Sequence, residues 1–322
     1  MTNPVTVADD YFHKRNDDPY WNESGWFGFN VPDRELAGCV YIHQRPNRGY
    51  AWAGLILWDP SGKQIYDCLW HDYSPQHLPA ANQLPEESKV FEFTTPRGLT
   101  ARNPEPLKRY EFSYANGPCT AELEFDTFAE PHDAGLAGGW DEWGSRHYEQ
   151  GGRMRGQITL HGDRIDVDCL TLRDRSWGPH SASGLTRGAF SWGVASEDLG
   201  FGVQPISQYT ADQDPIFGTT EPVLAGWLRR DGTTSHVRSG EHTVERDATG
   251  APVAIHLTGT DELGRDFTAE GRCVNLLNFT AFGTEIFWHW SLTEWTIDGQ
   301  TAWGEEQDVF DGTLRRRLRA RS

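Results

Sequence analysis

A run of charged and aromatic side chains just past the middle of the chain has the residue types needed for acid–base chemistry. It reads Leu172-Arg173-Asp174-Arg175-Ser176-Trp177-Gly178-Pro179-His180. A carboxyl group at the end of a strand among tryptophans can keep its proton near neutral pH, so Asp174 is a candidate proton donor. The alternative is structural: Arg175 stacks on Trp177 while a carboxylate pairs with that arginine. Arg173, Arg175 and His180 are predicted to form a structural charge cluster.

Two further groups carry side chains that can move protons. Arg146-His147-Tyr148-Glu149 lies just before the strand pair that leads to Asp174. Tyr148 and Glu149 are candidate proton-handling groups with His147 beside them, although a plain surface position is the commoner role of such a histidine. Trp303-Gly304-Glu305-Glu306 is a possible counterpart of the Asp174 segment in the second half of the chain. A catalytic base is therefore expected among Glu149, Tyr148 and Glu305.

Tryptophan is abundant, with 14 among 322 residues against only 2 methionines. Such a composition suggests strands, wide aromatic pockets, or both. In Trp288-His289-Trp290 the alternation of a strand puts both tryptophans on one face and His289 on the other, and core packing is the alternative role of this pair. The tryptophans expected to contact a substrate are Trp143, Trp177, Trp192, Trp288 and Trp290.

Composition and missing motifs exclude several function classes. The formal charge of −18, from 29 Lys and Arg against 47 Asp and Glu, argues against nucleic acid and anionic membrane surfaces as partners. No GxGxxG follows a strand, and no Walker loop, HExxH or GxSxG occurs. The 12 histidines show no metal-ligand spacing. We therefore expect no cofactor and no metal, which leaves an acid–base enzyme or a binding protein.

Cysteine usage and the N-terminus bear on the compartment. The 5 cysteines are widely spaced, with no CxxC, which predicts free thiols in a reducing environment. The N-terminal residues are polar, without the apolar region of a secretory signal, and no apolar run approaches the ~20 residues of a membrane span. The prediction is a cytoplasmic protein without a membrane span.

Short alternating segments separated by turn signals predict an all-β fold. Examples are Tyr110–Tyr114, Glu122–Asp126 and the hairpin around His161-Gly162-Asp163. Features of the first half return in the second, since Phe190-Ser191-Trp192-Gly193 is similar to Trp26-Phe27-Gly28-Phe29. We therefore predict two β-rich domains, residues 1–182 and 183–322. Residues 1–25 are expected to fray or to wrap an entrance.

The segment Arg173-Asp174-Arg175-Ser176-Trp177-Gly178-Pro179, preceded by His147-Tyr148-Glu149-Gln150, resembles a known family. It is similar to the double lipocalin-like (AttH-like) bacterial proteins related to carotenoid 1,2-hydratase (hydroxyneurosporene synthase). Val31–Glu35 and Tyr41–Pro46 also look like that family's first domain. The resemblance implies two lipocalin-like, calycin-type antiparallel β-barrel domains in tandem. It places the motif acid at Asp174 and the motif tryptophan at Trp177, while His180 departs from the arginine often found there.

The chemistry that the resemblance implies is cofactor-free addition or removal of water at isoprenoid double bonds. The first hypothesis is thus a hydro-lyase, a hydratase or dehydratase, in which Asp174 protonates a terpenoid alcohol or alkene. A non-catalytic carrier of an apolar ligand is the second hypothesis. A lipocalin-like cyclase or pericyclase is the third. The expected partner is a small apolar ligand, and a homo-oligomer or a hetero-oligomer with a related subunit is compatible with the sequence.

Overall fold

The computed structural model describes residues 4–77, 92–133, 146–179, 187–207, 220–281 and 286–312. The predicted all-β class is confirmed, since the described chain consists of strands joined by turns and short 3₁₀ helices. The 3₁₀ helices are Val7–Asp10, Pro32–Arg34 and Pro46–Arg48. Among these described residues, no helix is long and apolar enough to cross a membrane.

Two large antiparallel sheets contain the strands. The first sheet holds β1 Trp21–Val31, β2 Leu36–Arg45, β3 Tyr50–Trp58, β4 Trp70–His71, β5 Ser74–His77, β6 Glu92–Thr94, β7 Leu99–Glu105, β8 Arg109–Asn116, β9 Cys119–Thr127, β10 His132–Asp133, β11 Arg146–Leu160 and β12 Asp163–Pro179. The second sheet holds β13 Arg187–Ser196, β14 Leu199–Pro205, β15 Thr220–Arg230, β16 Thr233–Arg246, β17 Pro252–Asp261, β18 Asp266–Cys273, β19 Leu277–Ala281, β20 Ile286–Ile297 and β21 Gln300–Asp311.

Strand order differs between the two sheets. The first runs β4-β3-β2-β1-β12-β11-β9-β8-β7-β6, with β5 paired to β3 and β10 to β11. The second runs β18-β17-β16-β15-β14-β13-β21-β20-β19, and β18 also pairs with β20. That extra pairing closes eight strands into a barrel, which leaves no open edge among those eight.

The described residues form two compact units. Unit 1 takes those within 1–33, 37–57 and 70–181, and unit 2 takes those within 34–36, 58–69 and 182–322. Unit 2 therefore includes two short segments from the N-terminal half of the sequence. The domain boundary between residues 182 and 183 stays a prediction.

The core of each unit follows from the alternation of side chains along its strands. In β8 and β9 of unit 1 every second residue is buried, and the ring of Phe27 contacts Phe112 and Phe125 at centroid distances of 4.6 and 5.6 Å. In unit 2 a buried cluster includes Phe201 and Trp295, whose rings meet edge to face at 5.1 Å. Burial of such aromatic side chains stabilises each core by removing a large apolar area from water.

Both sheets repeat one local arrangement. β12 lies between β1 and β11, as β21 lies between β13 and β20. Asp174 pairs with Trp26 on one side and Glu149 on the other. Glu305 pairs with Trp192 and Leu292. Glu305 therefore occupies in unit 2 the position of Asp174, with Leu292 standing where unit 1 has Glu149.

Candidate active site

One face of unit 1 carries an acid, a histidine and a second carboxylate on neighbouring strands. Because side chains alternate along a strand, Trp26, Asp174 and Glu149 point to the same side, which we call the outer face. Phe27 and Arg173, one position along, point to the opposite inner face. Asp174 is partly buried, whereas Trp26 and Glu149 are buried.

His147 links two side chains of the outer face. Its Nε2 lies 3.1 Å from Glu149 Oε1, and its Nδ1 lies 2.8 Å from Ser176 Oγ. A carboxylate only accepts hydrogen bonds, so Nε2 carries a proton. In the neutral ring, Nδ1 then accepts from the Ser176 hydroxyl. The His147 side chain is 18% exposed while that of Glu149 is 1% exposed, so the imidazole is the more accessible of the pair.

The environment raises the pKa values of both Asp174 and His147. Burial raises the pKa of Asp174 to about 6; Glu149 adds to the rise, while His147, Arg173 and the backbone N–H of Trp26 oppose it. Burial alone would lower the pKa of His147, but the hydrogen bond to Glu149 and the charge of Asp174 outweigh it and raise that pKa. A carboxyl group and an imidazole that both have raised pKa values lie on the same face of neighbouring strands, which suits proton transfer.

The inner face behind this site holds a buried charge network. Arg173 pairs with Asp10 at 3.0 Å, and the Tyr148 hydroxyl donates to Asp10 at 2.8 Å. Its partners make Tyr148 a poor proton carrier, because burial and the charge of Asp10 raise its pKa well above the ordinary value. Tyr148, predicted as a proton-handling group, therefore lies on the opposite face of the sheet from Asp174 and His147.

A second ion pair on the inner face involves Arg175. It pairs with the buried Glu23 and lies over the Trp177 ring at 5.9 Å. The ring of His13 stacks on Trp177 at 4.1 Å, with an angle of 3° between the planes. This is the arginine–tryptophan arrangement expected from the sequence, but the carboxylate that completes it is Glu23. Trp177 is thus placed on the inner face with Arg173, away from Asp174.

The remaining predicted site residues are in unit 2 or outside the described chain. Glu305 accepts hydrogen bonds from Trp290 Nε1 at 2.7 Å and Gln307 Nε2 at 2.8 Å. Trp192 is opposite Glu305, and Trp288 follows on the same side of β20 as Trp290. Both donors bond to the same oxygen, Oε2 of Glu305. Trp143 and His180 lie outside the described residues.

The structure brings together Asp174, Glu149 and His147 from the predicted catalytic set. It adds Ser176 and Trp26, which the sequence analysis did not select. Ser176 follows Asp174 by two residues, so strand alternation is the signal that places it on the same face. Across all described residues, no group of three or more His, Cys, Asp and Glu side chains is arranged to hold a metal ion.

Unit 2 contains a second network of charged side chains that is buried. Arg187 pairs with Glu221 and lies 3.3 Å from Asp308, which also accepts from Arg246 at 3.1 Å. Ser191 donates to Glu306 at 2.5 Å, and His242 Nε2 lies 3.2 Å from Glu306 and from the Ser191 hydroxyl. The histidine, serine and Glu306 are 0% exposed. A serine beside a histidine resembles a nucleophilic pair, but this one has no surface that a substrate can reach.

The buried network makes the stability of the protein depend on pH, through the protonation of His242. Burial alone would lower the pKa of His242, but Glu306 and Glu221 raise it to about 9. Because the folded pKa lies above the unfolded value of about 6.5, this stabilisation is complete below that pH and is lost as pH rises towards 9. We expect the free energy of unfolding in urea to fall between pH 6 and pH 9 by on the order of 3 kcal/mol.

Two variants test this dependence. His242→Gln removes the titrating group and should flatten the fall in stability. His256→Gln is the matched control, because His256 lies at the surface in an exposed pair with Glu270 and is expected to keep the slope of the unmodified protein. The same slope in the unmodified protein and in His242→Gln would contradict the assignment.

Comparisons with known proteins identify a sequence family and a shared fold. A sequence model described as a domain of unknown function (DUF7064) matches residues 6–306. No curated protein matches the chain. The AttH structure from Nitrosomonas europaea is 16% identical with a TM-score of 0.64, covering 96% of this chain and 97% of that one. The predicted resemblance to the AttH-like double lipocalin family, with lipocalin-like barrels in tandem, is confirmed.

Two further solved structures share the fold. Kievitone hydratase from Nectria haematococca is 14% identical with a TM-score of 0.52, covering 97% of this chain and 94% of that one. The structure of CghA with Sch210972 is 14% identical with a TM-score of 0.58, covering 91% of this chain and 89% of that one. At these identities the likeness concerns the fold, and the site rests on the geometry of this chain.

Proposed function

We propose that this chain, which belongs to the family described as a domain of unknown function (DUF7064) and has the double lipocalin fold, is a cofactor-free hydro-lyase. It adds water to an apolar alkene, or removes water from the matching alcohol, with a terpenoid or isoprenoid as the substrate class. A protein of the same fold is named a hydratase, which supports a reaction of this kind.

The observation that carries the proposal is the pair formed by Asp174 and His147. A partly buried carboxyl group with a pKa of about 6 stands beside an imidazole held by Glu149. Groups with pKa values near the working pH are the most effective general acids and bases. Neither group needs a cofactor to move its proton.

In the hydration direction, Asp174 gives its proton to one carbon of the double bond, and the electron pair of the bond forms the new C–H bond. The cation left on the neighbouring carbon lies near Trp26, whose ring can stabilise positive charge through its π face. Water attacks this carbon, forms the C–O bond and loses a proton to the Ser176 hydroxyl, which passes its own proton to Nδ1 of neutral His147. Ser176 Oγ, 2.8 Å from Nδ1, lies where it can hold that water. Return of the proton to Asp174 through solvent closes the cycle, and dehydration follows the same steps in reverse.

The test is turnover of a panel of acyclic and cyclic terpenoid alkenes and tertiary alcohols in ¹⁸O-labelled water. We expect an alcohol that carries one ¹⁸O atom, identified by gas chromatography and mass spectrometry. Isomeric products without added oxygen would instead indicate a cyclase. A ligand that stays bound in native mass spectrometry without turnover would indicate a carrier. Either result would overturn the hydro-lyase.

A further inference from the structure

Asp10 comes from the N-terminal 3₁₀ helix and is buried in the inner face of unit 1. Its carboxylate accepts from the Tyr110 hydroxyl at 2.6 Å, from the backbone N–H of Leu107 at 2.8 Å and from Asn103 Nδ2 at 3.2 Å. These bonds are in addition to those from Arg173 and Tyr148. A carboxylate with this many donors is held in one position by several strands at once.

The two remaining partners of Asp10 are sequence neighbours of the reacting groups. Arg173 directly precedes Asp174 on β12, and Tyr148 stands between His147 and Glu149 on β11. Strand alternation points these partners inward and the reacting groups outward. Contacts that hold the inner side chains therefore also fix the backbone that carries the outer ones.

We propose that Asp10 is a positioning residue for the Asp174–His147 site, acting through Arg173 and Tyr148, a proposal that rests on the function proposed above. The Arg173 and Asp10 side chains are each 1% exposed, so neither is balanced by water. Removing one partner of such a buried pair leaves an uncompensated charge. Because proton transfer requires close, aligned groups, a small movement of β12 against β11 is expected to slow the reaction.

The charge of Asp10 also reaches Asp174 through Arg173. The groups whose charge acts on Asp174 are His147 and Glu149 on β11, Tyr41 on β2, and Arg173, which is next to it on β12 but points to the opposite face. Arg173 lowers the pKa of Asp174, and Asp10 partly cancels the charge of Arg173. Neutralising Asp10 alone should therefore lower the pKa of Asp174. Neutralising Asp10 and Arg173 together should raise it.

The experiment follows Asp174 directly by NMR titration of protein labelled with ¹³C at the aspartate carboxyl carbons. The Asp174 signal is assigned by its loss in Asp174→Asn. In Asp10→Asn we expect its pKa to fall by roughly 0.5–1 unit. Asp9→Asn is the matched control, since Asp9 is the adjacent carboxylate and lies 3.6 Å from Arg146 near the surface. It should leave the pKa of Asp174 within about 0.2 unit, well below the shift that a contacting charge produces.

The double variant Asp10→Asn, Arg173→Gln keeps the test decisive if the single variant does not fold, because removing both partners of a buried pair is better tolerated. Its Asp174 pKa is expected to exceed that of the unmodified protein. A folded Asp10→Asn with an unchanged Asp174 titration, or a double variant without the rise, would overturn the proposal. The measurement needs no substrate, so its failure is distinct from failure of the hydro-lyase assignment.

Discussion

Replacing Asp174 with asparagine is expected to lower kcat/KM for the proposed hydration by about 10²–10⁴-fold, the usual contribution of a positioned general acid. Asparagine has nearly the same shape but cannot supply the proton. The fold should survive, because a raised pKa means that the folded state favours the neutral form of this side chain. The midpoint of thermal unfolding is therefore expected to stay close to that of the unmodified protein.

The pH dependence of kcat/KM shows whether Asp174→Asn loses activity because the proton donor is missing or because the site is distorted. One proton is shared between Asp174 and His147 in the active form, so kcat/KM should be bell-shaped. Below about pH 6 a second proton enters the pair and the base is lost. Above the raised pKa of His147 the last proton leaves and the acid is lost. In Asp174→Asn the remaining activity should show a single titration.

Asp166→Asn is the matched control for this experiment. Asp166 lies on the same strand and the same face as Asp174, but its side chain is exposed and bonded to Gln157 and Arg164. Its replacement should leave kcat/KM within about twofold, since exposed pairs of this kind contribute little. An active Asp174→Asn with an unchanged bell-shaped profile would remove Asp174 from the mechanism.

Part of this site can be derived from local sequence. The turn His161-Gly162 joins β11 to β12, and both residues adopt positive φ, at 51° and 87°. A two-residue turn fixes strand register, so Leu160 pairs with Asp163 and, further from the turn, Glu149 pairs with Asp174. Strand alternation then separates Asp174 from Arg173. Residues 147–179, which carry the family resemblance, are the residues that form this hairpin.

Other parts depend on contacts between distant segments, which no local pattern records. Residues 1–25 were expected to fray or to wrap an entrance, yet Asp10 is 1% exposed and β1 already begins at Trp21. Local sequence does not identify the partner of Arg175, because Glu23 lies 152 residues away along the chain. The buried network of unit 2 draws on β13, β15, β16 and β21, and each strand contributes residues that look like ordinary surface charges.

The buried charge network of unit 2 is expected to have a large effect on the free energy of unfolding. Asp308→Asn is expected to lower the free energy of unfolding by about 3–5 kcal/mol, because it leaves two buried arginines short of a counter-charge. Arg187 and Arg246 both contact Asp308, whose pKa is held well below its usual range because both arginines outweigh the effect of burial. The measurement is urea unfolding near neutral pH. Glu294→Gln is the control, since its pair with Arg272 is exposed, and a loss of about 0–1 kcal/mol is expected.

A double variant distinguishes charge from packing as the source of this loss. Asp308→Asn combined with Arg246→Gln removes one buried charge of each sign, while Arg187 keeps its pair with Glu221. Because an unpaired buried charge costs more than a pair removed as a whole, the double variant should be more stable than Asp308→Asn alone. If the two losses simply add, the effect comes from disturbed packing, and the charge balance of the barrel interior is not what stabilises unit 2.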